Sequence, residues 1–143
     1  MSAVNIKARK KARKLALQAI YQWQLTNDEL ANIQAQFLAH MDNQDADRDY
    51  FKLLVNGVMQ SADQIDDLYA SFLDRDLKDV SPIELAILRL ASFELNSCVE
   101  IPYKVVLNEA IELTKIFGAV ESYRYVNGVL DKVAAKIRIN ESR

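Results

Sequence analysis

Residues 102–133 read PYKVVLNEAIELTKIFGAVESYRYVNGVLDKV, and their spacing decides the fold. Pro102 suits the first turn of a helix, where its missing N–H would be unpaired in any case. Behind it Tyr103, Val106, Leu107, Ala110, Leu113 and Phe117 recur at helical intervals, and Gly118 supplies the stop. A second helix follows. Tyr123, Val126, Val129, Leu130, Val133 and Ile137 make one apolar stripe on it, with Arg124, Asn127, Gly128 and Asp131 on the opposite side. Two such stripes joined by a short turn must face each other, so this stretch predicts a helical hairpin.

Upstream, Ser81, Pro82 and Glu84 form a helix start: a serine cap, proline at the first position and a glutamate at the third. The helix they open, Ile83 to Leu95, carries Leu85, Ile87, Leu88, Leu90, Ala91 and Phe93 and is apolar on most sides. It is expected at the buried centre of its half, with Glu84 at the surface as a capping carboxylate. Downstream, Lys136 and Arg138 return the chain to positive charge, and the end is expected to fray at Asn140.

Further back, Phe51, Leu54, Val55, Val58, Ala62, Ile65, Tyr69 and Phe72 step by three or four, which predicts one long helix or two nearly collinear ones. Gly57 inside that run marks close packing against a neighbour. The charged run Asp74 to Asp79 lacks a continued stripe and is expected to link two helical halves, 1–78 and 79–143. Thr26 with Glu29 has the form of a capping box, opening a short helix with Leu30, Ile33, Phe37 and Leu38 inward. The fold class is therefore all-α, a bundle of about six or seven helices in two subdomains.

At 143 residues the chain fits one domain. Folding at that size buries roughly 68 to 70% of the unfolded surface, so neither metal nor disulfide is required. A single cysteine, Cys98, excludes an internal disulfide, and the absence of a long apolar run argues against membrane insertion or secretion. A cytoplasmic protein without cofactors is expected. Asp45, Asp47 and Asp49 copy the first three ligands of an EF-hand loop, but Tyr50 stands at the glycine position and Asn56 at the glutamate position, which excludes calcium. The one histidine, His40, has no nucleophile or metal-ligand pattern around it. With no Gly-rich phosphate loop, HExxH or CxxC, no catalytic constellation can be assembled, and an enzyme is not expected.

The net charge of −2 hides an uneven distribution. Lys7, Arg9, Lys10, Lys11, Arg13 and Lys14 give the first fourteen residues +6, and no acid precedes Asp28; the remainder carries −8. A basic end on an acidic body favours a local contact with a polyanion. On a helical wheel Lys7, Lys10, Lys11 and Lys14 share one face, which Gln18 and Tyr21 continue. Ala8, Ala12, Leu15, Ala16, Ala19 and Trp23 make the opposite, core-facing stripe, with Arg9 and Arg13 at the boundary, where either could reach round to a phosphate. One reading is a helix gripped by its apolar side, offering ammonium groups to phosphates and a tyrosine ring to a base. The other is a solvated basic terminus with a tyrosine packed on a neighbour. Spacing alone does not choose between them.

IPYKVVLNEAIELTKIFG followed by YRYVNGVLDKVA resembles the signature of the NusB family of transcription antitermination factors, and ARKKARKLALQAIYQWQ resembles that family's opening basic helix. The resemblance implies a protein that binds single-stranded boxA RNA of ribosomal RNA operons together with ribosomal protein NusE, within an RNA polymerase complex containing other Nus factors. Carried over by position, it places RNA contacts at Arg9, Lys10, Arg13, Tyr21, Glu84, Arg124 and Tyr125. Glu84 then changes role, since a carboxylate repels phosphate but accepts a hydrogen bond from a base amine. Lys10 and Lys11 stand in a tract that is often arginine in the family, and Tyr125 stands where phenylalanine is common; lysine lacks the planar fork, whereas tyrosine keeps the ring. Two alternatives remain at this point. One is a helical adaptor or homodimer without an RNA role. The other is the RNA-binding domain related to ribosomal RNA cytosine methyltransferases, which would need a catalytic domain that this chain is not expected to contain.

Overall fold

The computed structural model describes residues 5–41 and 45–141, and among them it is helical, with no strand. The chain forms two compact units, Met1–Gln60 and Ser61–Arg143.

The first unit contains α1 (Ile6–Thr26), α2 (Leu30–Ala39) and α3 (Arg48–Gln60). Asn5 opens α1, its side chain accepting the Ala8 N–H at 3.0 Å. The buried face of α1 is broader than the expected stripe. Leu17 and Ile20 join Ala8, Ala12, Ala16 and Ala19 in the core, while Leu15 and Trp23 are only half-buried. This face packs on α3 through Tyr50, Phe51, Leu54, Val55 and Val58. From α2 only Ile33 is fully buried; Phe37 is half-buried and stacks on Phe51 at 6.1 Å between centroids.

The expected capping box at Thr26 does not form. Thr26 is the last residue of α1 and donates its hydroxyl to the Gln22 carbonyl at 2.9 Å. The chain turns one residue later, at Asn27, whose φ of 54° lies in the left-handed region that asparagine tolerates. Glu29 then precedes α2 without a side-chain cap.

The second unit contains α4 (Ala62–Tyr69), 3-10 turns at Ala70–Phe72 and Leu77–Asp79, α5 (Pro82–Ser97), α6 (Tyr103–Phe117) and α7 (Ser122–Ile137). The apolar run 51–72 is thus divided at Ser61, and the boundary between units falls there instead of within 74–79. The reason is polar. Arg89 on α5 forks onto Asp66 of α4 with two bonds of 2.9 Å, and the Tyr69 hydroxyl donates to the same carboxylate at 2.6 Å. Burial, and then the bond to Asp66, pushes the Tyr69 phenol far above its ordinary pKa, so it stays a donor. Removing any one member would leave buried polar groups unpaired, so α4 is tied to α5.

The hairpin of 102–133 forms as expected, with Val106, Leu107, Ala110 and Leu113 of α6 facing Val126, Val129, Leu130 and Val133 of α7. Pro102 sits at the cap position, just outside the first turn. Gly118 ends α6 through close approach: its backbone is extended, and a Cβ there would come within 2.8 Å of the Thr114 carbonyl oxygen.

Arg138 departs most from its expected place. It is buried, and its guanidinium donates to the carbonyls of Leu95 at 2.8 Å, Ile101 at 2.9 Å and Cys98 at 3.1 Å, which are carbonyls at and beyond the end of α5. Glu141 pairs with it at 2.7 Å and accepts the Tyr103 N–H at 2.6 Å, which satisfies the start of α6. The segment expected to fray therefore locks three helix ends together. None of the described helices is long and apolar enough to cross a membrane.

Candidate nucleic-acid interface

Each unit presents its own group of the residues singled out above. In the first unit, the small-residue face of α1 packs against α3, and this leaves the opposite face toward solvent. Lys7, Lys10, Lys11 and Lys14 are all exposed, and Lys7, Lys11 and Lys14 make no ion pair among the described residues. Gln18 is half-buried and bonds back to the Lys14 carbonyl at 3.3 Å. Tyr21 is half-buried, so part of its ring reaches solvent. Lys7 and Lys11 also line an open hollow of about 380 Å³ with Asn5, Ala8, Asp45 and Ala46.

The two arginines of α1 behave differently. Arg13 is 4% exposed, and its guanidinium lies 5.4 Å from the centre of the Tyr50 ring. The expectation that it reaches a phosphate is therefore corrected: at the helix boundary a planar guanidinium gains more from an aromatic face than a hydrated ammonium would, and it packs inward. Arg9 is half-buried, 4.3 Å over the same ring, with its Nε 3.8 Å from the Asp47 carboxylate.

In the second unit, Glu84 is 8% exposed, contrary to its expected surface position. The Ser81 hydroxyl donates to its carboxylate at 2.9 Å and accepts the Glu84 N–H at 3.3 Å, which closes the start of α5. Tyr125 is half-buried, with Arg75 stacked 4.4 Å over its ring. Arg75 in turn forks onto Asp74 at 2.6 and 3.2 Å, which holds the Asp74 carboxyl below its ordinary pKa. Burial pushes the Tyr125 phenol upward; Arg75 opposes the shift, while the Asp74 and Glu84 carboxylates add to it. Its hydroxyl is enclosed, and Asp74 acts on it through charge without a bond of hydrogen-bond geometry. Arg124 is exposed, 3.5 Å from Glu121 and 3.3 Å from the Tyr123 hydroxyl. Sequence reasoning missed Arg75, which lay in a charged run read as a link. Its position three residues past the end of a helical stripe carries no signal that it returns to cover an aromatic ring.

Chemically, α1 offers exposed ammonium groups in a row that ends at the half-buried Tyr21, which suits a phosphate backbone and an unstacked base. Among the described residues no group of His, Cys, Asp and Glu is arranged to hold a metal ion.

The sequence matches the NusB family over residues 10–135. It is 55% identical to the transcription antitermination protein NusB of Idiomarina loihiensis, over 92% of this chain and 94% of that protein. It is 49% identical to the protein of the same name from Alcanivorax borkumensis, over 94% of this chain and 90% of the other. Among solved structures, T. maritima NusB superposes with a TM-score of 0.77 at 28% identity, covering 95% of this chain and 94% of that one. The same fold recurs, with a TM-score of 0.83 at 24% identity, in a crystal structure of antitermination factors NusB and NusE in complex with dsRNA, covering 92% of this chain and 99% of that one. A match of this extent, joined to the basic α1 and the α6–α7 hairpin, makes the chain a member of the NusB family.

Proposed function

We propose that this chain is a non-enzymatic, cytoplasmic transcription antitermination factor that binds single-stranded boxA RNA of ribosomal RNA operons with ribosomal protein NusE and joins the RNA polymerase complex. One observation carries the reading: Lys7, Lys11 and Lys14 stand in solvent, with no ion pair among the described residues, on the face of α1 that leads to Tyr21. Phosphates on that row would release counterions, and Tyr21 would stack a base. Lys10 extends the row, and Gln18 sits between Lys14 and Tyr21. Arg124 and Tyr125 are a second contact, with Arg75 and Glu84 setting the charge around the Tyr125 ring.

The solved complex of this fold contains duplex RNA, whereas a tyrosine edge on a helix face suits an unpaired base, because bases in a duplex are already stacked. Labelled boxA-like RNA, single-stranded and as a duplex, is titrated by fluorescence anisotropy with and without NusE at two salt concentrations. The reading expects tighter binding of the single strand, further tightening with NusE, and a salt slope of about −0.7 per phosphate contacted. Equal affinity for RNA in wild type and in Lys7→Ala/Lys11→Ala would favour the adaptor alternative.

A further inference from the structure

The segment before α3 lies against the basic end of α1 and carries two carboxylates that the proposed function does not use. The Asp47 N–H donates to the Ala8 carbonyl at 3.0 Å, tying the segment to the first turn of α1. One oxygen of Asp47 accepts the Tyr50 N–H at 2.9 Å and so opens α3, while the other lies 3.8 Å from Arg9 Nε, which is enclosed and makes no hydrogen bond. Asp45 shares the hollow with Lys7 and Lys11 and makes no bond of its own among the described residues.

We infer that Asp45 and Asp47 are specificity-determining residues for RNA docking on α1: a negative strap, held in place at Asp47, that keeps phosphates from the amino-terminal end of the lysine face and so limits binding of strands that lack the right bases. The inference rests on the RNA-binding reading of α1. Non-specific binding is almost wholly a phosphate term, and a strand held that way samples every register along the face. Registers that carry a phosphate past Asp45 and Asp47 meet like charge at short range and are lost. A strand anchored by base stacking on Tyr21, toward the other end of α1, gives up less by avoiding them. Attachment matters here, because a mobile carboxylate would swing aside; Asp47 is held by its backbone bond to α1 and by its capping bond to α3.

The test is Asp45→Asn/Asp47→Asn, since asparagine caps a helix as well as aspartate does and only the charge is removed. Affinities for labelled single-stranded boxA-like RNA and for oligouridine of equal length are measured at low and moderate salt. The expected result is a gain of roughly three- to tenfold for oligouridine at low salt, a smaller gain for boxA-like RNA, and shrinkage of both as salt rises. A ratio of the two affinities that is unchanged or increased overturns the inference. If the double variant melts early, the same comparison is made well below its thermal transition, where the variant is folded. Lys7→Ala/Lys11→Ala is measured in parallel. Weakened binding in that variant with no effect of the asparagines sinks the strap and leaves the reading of α1 standing, whereas unweakened binding removes both.

Discussion

Three lysines of the first unit and three arginines of the second are put to opposite uses. In the first, Lys7, Lys11 and Lys14 make no ion pair among the described residues, while in the second, Arg89, Arg138 and Arg75 are all committed to partners within the chain. The difference follows from residue type and from the local supply of acid. No acid precedes Asp28, so the lysines of α1 have nothing on their own helix to pair with, and a hydrated ammonium on a flexible stem gains little from burial. The second unit provides Asp66, Asp74 and Glu141 beside planar guanidiniums that can satisfy several acceptors at once. A cation left unspent by the fold is the one available to a ligand.

That contrast is open to direct attack. The largest effect is expected at Arg138→Ala, which strips donors from at least three buried carbonyls and should lower stability by about 3 kcal/mol or more in urea denaturation. Arg138→Lys keeps the charge but not the fork and should recover only part of the loss. An unchanged midpoint in Arg138→Ala would mean that Arg138 adds no more to the fold than the exposed lysines of α1 do. Next comes Tyr21→Ala, expected to weaken RNA binding by about 1 to 3 kcal/mol with helix content unchanged by circular dichroism. Lys11→Ala alone should cost about 1 kcal/mol of RNA affinity and flatten the salt slope by about 0.7. Destabilisation in place of lost binding would move Lys11 into the group that maintains the fold.

The smallest expected effect is a pH dependence. The Tyr103 N–H, and then Arg138, hold the Glu141 carboxyl below its ordinary value of 4.5. Its stabilising contribution is therefore complete above that value and is lost as pH falls through the lowered pKa of the folded state. Glu141→Gln should flatten the acid side of the stability profile below about pH 4.5 and leave RNA affinity at neutral pH unchanged. An identical acid slope in wild type and variant would show that the bond to Tyr103 carries no proton linkage.

Much of the helical pattern was legible because periodicity alone carries it: the α6–α7 stripes, the serine and proline start of α5, and the lysine row with Tyr21 all appear where spacing put them. What was missed has one character. Arg13 at a helix boundary, Glu84 at a capping position and Arg138 in an end expected to fray are all charged, yet each is buried beside a partner: Tyr50 for Arg13, Ser81 for Glu84, and helix-end carbonyls for Arg138. Ser81 is close in sequence to Glu84, but Tyr50 and the carbonyls of Leu95 and Ile101 lie thirty-seven or more positions away from the side chains that find them. Thr26 failed for a related reason. A capping box and a helix end compete for the same residue, and the left-handed turn at Asn27 settled the competition.

The sequence by itself determined the all-helical class, the pairing of the last two helices and the cationic face of α1, because apolar period and net charge are properties of consecutive residues. Only the tertiary structure decided that Arg9 and Arg13 turn toward Tyr50, that α4 belongs with α5, and that Arg138 closes the second unit. Those outcomes depend on which buried polar groups find partners, and a buried donor or acceptor is satisfied by whatever the folded chain brings within bonding distance, however far apart the residues are along it.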